Sequence, residues 1–156
     1  MLSRFLSAVD VVSGLLLGSV VLLTFLEATL RYLFNVQIPD AYSLSGYAQG
    51  VAIFWGIASA TYVGRHITVD ILWDAAGPAN KRRIDIIAAV ISGVFLLAMA
   101  VMLVQKVARS RASYEVTNEL QIEVWLFLAV AAAGIVLAGI LAFVRAARLA
   151  RGTLQG

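Results

Sequence analysis

Apolar residues fall along this chain in four long runs, Val11–Leu30, Ala41–Gly64, Ile86–Gln105 and Val124–Val144, separated by short polar stretches. A helix rises about 1.5 Å per residue, so about 20 apolar residues cover a hydrocarbon core about 30 Å thick. Each run is that long, and Glu27 is the only charged residue inside any of them. The runs are continuous rather than alternating, which excludes a membrane β-barrel. They also stay apolar around the whole helix, unlike a soluble amphipathic helix. The pattern predicts an all-α membrane protein with a single four-helix domain over residues 1–156 and spans at about 8–32, 43–64, 84–108 and 123–145. The first run exceeds the 7–15 residues of a signal-peptide core, so it is expected to be a retained span.

Between the runs, Phe34–Asp40 carries Asn, Pro and Asp and reads as a short turn. A longer connection, Arg65–Arg83, follows the second run. Within it, Ile67–Trp73 is compatible with a helix lying in the membrane interface. Arg111–Glu123 connects the third helix to the fourth. Both prolines, Pro39 and Pro78, lie in connections, so no span carries a helix-breaking residue. No internal repeat relates the first two helices to the last two, in contrast to the inverted repeats common in transporters.

Charge sets the expected orientation. Arg4, Arg65, Lys81, Arg82, Arg83, Arg145, Arg148 and Arg151 fall on one side, and Arg31, Lys106, Arg109 and Arg111 on the other. The excess of Lys and Arg on the cytoplasmic side of membrane proteins then predicts both termini inside. The net charge of +3 needs no nucleic-acid partner, because the basic residues flank the spans. Lys81-Arg82-Arg83 would sit near anionic lipid or simply anchor the orientation. With no Cys and one His, the chain cannot build a disulfide, an iron–sulfur centre, a bis-histidine haem or an ordinary zinc site. No catalytic, cofactor or metal site is expected, and no enzymatic activity.

A few side chains remain as candidates. Small residues recur at four-residue spacing in Gly14/Gly18, Gly46/Gly50, Gly56/Ala60/Gly64 and Gly134/Ala138/Ala142, a pattern that lets membrane helices approach closely. Glu27, an intramembrane acid, is a candidate proton-coupling group. Arg31 lies four residues on, however, and an interfacial ion pair is the favoured reading. His66 and Asp70 share that spacing beside Arg65, and a structural role is favoured there because a metal would want more ligands. Glu115, Glu119 and Glu123 recur every four residues and would share one helical face, either as a docking stripe or as a solvated helix end with an Arg111–Glu115 pair.

Three segments carry a family resemblance. Arg31-Tyr32-Leu33-Phe34-Asn35 closes the first helix, Phe54-Trp55-Gly56 lies in the second, and Gly64-Arg65-His66-Ile67-Thr68-Val69-Asp70-Ile71-Leu72 follows it. In these, in length and in span count, the chain resembles the small DctQ-like membrane subunit of tripartite ATP-independent periplasmic (TRAP) transporters. It departs from the family at Ser43-Leu44-Ser45-Gly46, where an acidic residue is common, and at Ile122-Glu123-Val124-Trp125, where proline is common.

The resemblance implies a multi-pass protein of the bacterial inner membrane with two partners. One is a large membrane subunit that carries substrate and sodium; the other is a periplasmic substrate-binding protein that docks transiently. It implies sodium-coupled uptake (symport) of an organic acid by the whole complex, with this chain as scaffold and any sodium held by the large subunit. The rival expectation is a self-contained four-helix, proton-coupled exporter built around Glu27. The residues this reading singles out for partner or structural roles are Glu27, Arg31, Trp55, Gly56, Arg65, His66, Asp70, Glu115, Glu119 and Glu123.

Overall fold

The computed structural model describes residues 2–63 and 78–151, with side-chain detail for 7–61 and 80–151. Four helices account for nearly all of it: α1 Leu2–Phe34, α2 Ala41–Val63, α3 Pro78–Ala112 and α4 Val124–Ala150. The only extended pairing among the described residues is an isolated antiparallel bridge between Val116 and Glu123.

The helix ends follow local chemistry. α1 stops where Asn35 takes the left-handed conformation (φ 54°), and the Val36 N–H folds back onto the Leu30 carbonyl. Asn tolerates that region better than most residues. Pro78 opens α3, where its missing N–H leaves nothing unsatisfied. At the other end of α3 Tyr114 adopts a φ of 51°, Glu115 N–H reaches the Ser110 carbonyl at 3.1 Å and Tyr114 N–H the Arg111 carbonyl at 3.3 Å. This is the paired return of a Schellman cap, made without glycine.

Substantial packing joins α1 to α2, α2 to α4 and α4 to α3. The spatial order is therefore α1–α2–α4–α3, an open row. α4 lies at its centre and is far more buried than α3 or α1. The core cluster of Ala58, Leu96, Ala100, Ile135, Ala138 and Ala142 spans α2, α3 and α4. It is mostly alanine, as expected where lipid provides no hydrophobic drive and close backbone approach supplies the attraction.

Glycine sits where the backbones come closest. A Cβ on Gly134 would lie 3.0 Å from the Trp55 backbone nitrogen and 2.9 Å from the Trp55 ring. The Trp55 indole donates to the Val130 carbonyl, one turn before Gly134, at 2.9 Å. On the other side of α4, Gly139 receives Leu97 and Gly93 receives the Phe143 ring, with added Cβ atoms 2.7 and 2.9 Å from those side chains. The α3–α4 seam thus exchanges one large side chain in each direction. Gly14, Gly18, Gly46, Gly50 and Gly56 meet nothing within 4 Å. Of the small-residue sets, the one on α4 is therefore the one drawn into a close helix contact.

Three helices, α1, α3 and α4, are long and apolar enough to cross a membrane. The sequence reading expects four spans, and α2 departs from it. At 23 residues α2 has the length, but Ser43, Ser45, Gln49, Ser59 and Thr61 and three tyrosines dilute its apolar character. The row takes in some of those residues, while Tyr42 and Gln49 stay exposed. α2 is covered by α1 on one side and α4 on the other, and Ser59 and Thr61 are fully buried. Thr61 returns its hydroxyl to the Ile57 carbonyl at 2.7 Å, a bond within the helix that lowers the cost of burial.

These contacts predict opposite outcomes for two alanine substitutions in the isolated chain. Both Gly134→Ala and Gly56→Ala gain about 1 kcal/mol of helix propensity. Only Gly134→Ala incurs overpacking, which costs about 1–3 kcal/mol. Thermal unfolding in detergent micelles should therefore shift down for Gly134→Ala and stay level or rise for Gly56→Ala. Equal shifts would contradict the close α2–α4 contact.

Candidate functional site

The polar chemistry concentrates at the end of the row where the first and third connections meet. Asp40 is its centre. It precedes α2, takes a left-handed φ of 52° and is 9% exposed. Its carbonyl accepts the Leu44 N–H and so starts α2. Its carboxyl does not cap its own helix. Instead Oδ2 accepts the Glu119 N–H at 3.0 Å and the Leu120 N–H at 2.6 Å, 79 and 80 residues away in sequence. The Leu120 N–H, then the Thr117 hydroxyl and the Glu119 and Asn118 N–H groups, hold the Asp40 carboxyl below its ordinary range against the opposing effect of burial.

The turn that receives Asp40 is a miniature hairpin. Thr117 N–H bonds the Ile122 carbonyl at 2.9 Å and Val124 N–H the Glu115 carbonyl at 3.0 Å. The Thr117 hydroxyl accepts the Ile122 N–H at 3.1 Å, and Gln121 turns the chain with a φ of 54°. This corrects one expectation. Glu115, Glu119 and Glu123 do not share a helical face, because α3 ends at Ala112 and α4 begins at Val124.

The three acids have separate environments. Glu115 pairs with Lys106 at 2.9 Å, and that ammonium is the chief cause of its lowered pKa. Glu123 accepts the Trp125 indole N–H at 2.8 Å. Glu119 is exposed and contributes its backbone N–H to Asp40. Arg111 does not pair with Glu115 but lies 5.1 Å over the Trp125 ring, a cation–π contact.

Beside this end, α1 and α2 separate to leave a cleft of about 420 Å³. Thr24 and Glu27 line it from α1; Tyr42, Ser43, Ser45, Tyr47 and Gln49 line it from α2. Tyr47 also stacks on Phe127 of α4, with ring centroids 5.5 Å apart. The expected Glu27–Arg31 pair is present but long, with Oε1 and Nη1 4.0 Å apart, and the Arg31 side chain is 57% exposed.

Trp55 reaches into the α2–α4 seam as described, while Gly56 meets nothing at its Cα. Arg65, His66 and Asp70, and the interfacial segment Ile67–Trp73, lie outside the described residues. The described residues hold no group of three or more His, Cys, Asp or Glu side chains placed to share a metal.

Sequence reasoning missed, above all, two charged side chains that act far along the chain. One is Asp40, since a residue that reads as a turn former gives no sign of a partner so far along the chain. The other is Arg82. Its Nε donates to the Leu149 carbonyl at 2.8 Å and its Nη2 to the Ala150 carbonyl at 2.7 Å. Carbonyls in the last turn of a helix lack the i+4 N–H partner of the helix interior, and the helix dipole favours a cation there. The middle member of Lys81-Arg82-Arg83 is therefore a cap on α4. The available signal was a basic residue opening one helix of an antiparallel pair and facing the end of the other.

The Asp40 geometry generates a pH prediction. A carboxyl whose folded pKa is depressed stabilises the fold above its unfolded value, and that stability is lost as pH falls through the folded value. For Asp40 the loss begins near 3.8 and continues below it. Asp40→Asn keeps the left-handed backbone accessible and removes the charge. Its thermal transition should lie below wild type at pH 6 to 7, and the gap should narrow as pH falls below 4. A gap independent of pH would show that the charge of Asp40 does not contribute.

The chain was compared with known proteins. No curated protein and no solved structure matches it. A family model described as tripartite ATP-independent periplasmic transporters, DctQ component, matches residues 20–152. That stretch runs from the middle of α1 to the end of α4 and includes the 35–40 and 113–123 connections, the cleft and the α2–α4 seam. The family is one of transporter components rather than enzymes, and membership leaves the self-contained exporter without support. A family model covering so much of the chain, on a fold of apolar helices, shows that this protein belongs to the DctQ components of tripartite ATP-independent periplasmic transporters.

Proposed function

We propose that this chain is the non-transporting scaffold of a three-part importer in the bacterial inner membrane. The family match over residues 20–152 carries the reading. In it, a large membrane subunit moves an organic acid with sodium, and a periplasmic binding protein delivers the acid. This chain forms a single four-helix domain that braces the large subunit. Its own residues need no cofactor, and any sodium belongs to the large subunit.

The shape of the row supports this role. α1 to α4 are each continuous over their described lengths, whereas secondary transporters commonly bind substrate where helices are interrupted near the midplane. The row leaves long apolar side chains uncovered, Val21, Leu22 and Phe25 on α1 and Val94, Phe95 and Met102 on α3 among them. Lipid or the flank of another membrane protein can cover such side chains equally well.

The same reading places both termini in the cytoplasm. The Asp40 and 113–123 connections then lie on the periplasmic side, where the binding protein docks. α2 crosses as the fourth span, with Ser45, Ser59 and Thr61 buried in the row. Arg82 and the end of α4 fall on the cytoplasmic side.

Two measurements test this. Single cysteines at Asn35 and Asn80 should differ toward an impermeant thiol reagent in intact cells: Asn35→Cys labels and Asn80→Cys does not. The reverse pattern would invert the orientation. In liposomes with an inward sodium gradient, uptake should require the large subunit, and omission of this chain should reduce uptake by loss of the complex. Uptake by this chain alone would refute the scaffold role.

A further inference from the structure

The α1–α2 cleft is built unlike the rest of the row. The α2–α4 and α3–α4 seams are filled by alanine, glycine and interlocking apolar side chains. Here a cavity of about 420 Å³ opens beside a carboxyl group, with hydroxyls and an amide around it.

Two of its polar groups lack adequate partners. The Ser45 hydroxyl is buried, lines the cleft and makes no hydrogen bond. The Glu27 side chain is 19% exposed, and its nearest cation among the described residues is Arg31 at 4.0 Å. That distance is too long for a hydrogen bond. A carboxylate withdrawn into a membrane helix needs compensation by a closer opposite charge or by hydrogen bonds. Thr24 cannot spare its proton, which goes to the Val20 carbonyl at 2.8 Å, but its oxygen still accepts.

Every polar group of the lining offers an acceptor, and the ionised Glu27 carboxyl offers nothing else. The cleft carries one negative charge and presents the aromatic residues Tyr42 and Tyr47. Each of these features suits a cation that brings several N–H donors. A carboxylate takes ammonium or guanidinium groups through charge-assisted bonds, and aromatic faces attract the same groups.

A phospholipid headgroup fits less well. Arg31, which would take its phosphate, lies one turn nearer the helix end than Glu27. The headgroup ammonium would then have to fold inward past its own phosphate to reach the acid.

We propose that this cleft receives a lysine or arginine side chain of the large membrane subunit, with Glu27 as its counter-ion and Ser45 and Gln49 as further acceptors. The proposal rests on the scaffold reading above for the identity of the partner. It makes the α1–α2 end of the row a contact that fixes register. A single buried ion pair sets how far along the helix the partner lies, which the uniformly apolar faces of α1 and α3 cannot specify.

The test uses the intact complex. The tagged chain and its large subunit are co-expressed, purified together, and the ratio of the two is measured. Glu27→Gln should reduce recovery of the large subunit several-fold, and Glu27→Lys at least tenfold. Asp10→Asn, an exposed acid on the same helix, should leave recovery unchanged. Each intramembrane Lys and Arg of the large subunit is then replaced by Glu in the Glu27→Lys background, and one such reversal should restore recovery. The thermal transition of each isolated variant shows that α1 and α2 still fold together. If Glu27→Lys alone misfolds, Glu27→Gln decides.

Recovery at the wild-type level for Glu27→Lys, or no rescue by any reversal, would overturn the proposal. So would native mass spectrometry of the isolated chain showing a phospholipid retained only when Glu27 is present. Failure of the wild-type chain to recover any large subunit is a different result, and it refutes the scaffold reading itself.

Discussion

The close contact of α2 with α4 is the constraint on which the arrangement depends. In hydrocarbon, two apolar helices gain little by exchanging lipid for each other, so association relies on dispersion at short range and on hydrogen bonds that lipid cannot offer. Gly134 provides the first by letting the Trp55 backbone come within van der Waals reach of α4. The Trp55 indole provides the second, at the Val130 carbonyl. A hydrogen bond between membrane helices is worth about 0.6 kcal/mol on average and up to about 1.7. One bond is therefore modest, and its value lies in fixing which faces of α2 and α4 meet. Around that contact α1 packs on α2 and α3 on α4.

The polar links lie outside this centre and act on its ends. Asp40 ties the turn between α1 and α2 to the hairpin between α3 and α4. Arg82 ties the start of α3 to the last carbonyls of α4. Both use charged side chains to satisfy backbone groups that secondary structure leaves open. Both also lie at helix ends, where such bonds can be made without taking a charge through the hydrocarbon. The α1–α2 seam has the least of either kind of support. It holds the cleft around Glu27 at one end and, toward the start of α1, an apolar groove of about 360 Å³ lined by Val9, Val12, Ser13 and Trp55.

Much of the architecture is legible in the sequence because the membrane imposes one strong signal. Runs of about 20 apolar residues fix where α1, α3 and α4 lie, and a turn signature at Asn35–Asp40 separates α1 from α2. The detail was less accessible for identifiable reasons. Four-residue spacing of small residues occurs on several helices, but whether Gly134 or Gly46 is used depends on which face meets a neighbour, and spacing along one helix does not carry that information. The three glutamates recur with helical period but fall in a hairpin. The turns at Tyr114 and Gln121 use residues that give none of the usual glycine warning. For the same reason the sequence suggests an Arg111–Glu115 pair, whereas Glu115 turns to Lys106 and Arg111 to Trp125. Asp40 and Arg82 act over separations that only a tertiary structure reveals.

The open row also has a mechanical consequence. α1 and α3 each pack substantially on one neighbour, whereas α2 and α4 each pack on two. Force passed between the outer helices therefore runs through three seams in series, and the softest seam sets the compliance of the whole. That seam is α1–α2, which holds the two cavities and where the α1 glycines, Gly14 and Gly18, meet nothing. A neighbour that leans on α1 moves α1 first, while α2, α4 and α3 keep their places, as the outermost leaf of a spring gives before the stack behind it.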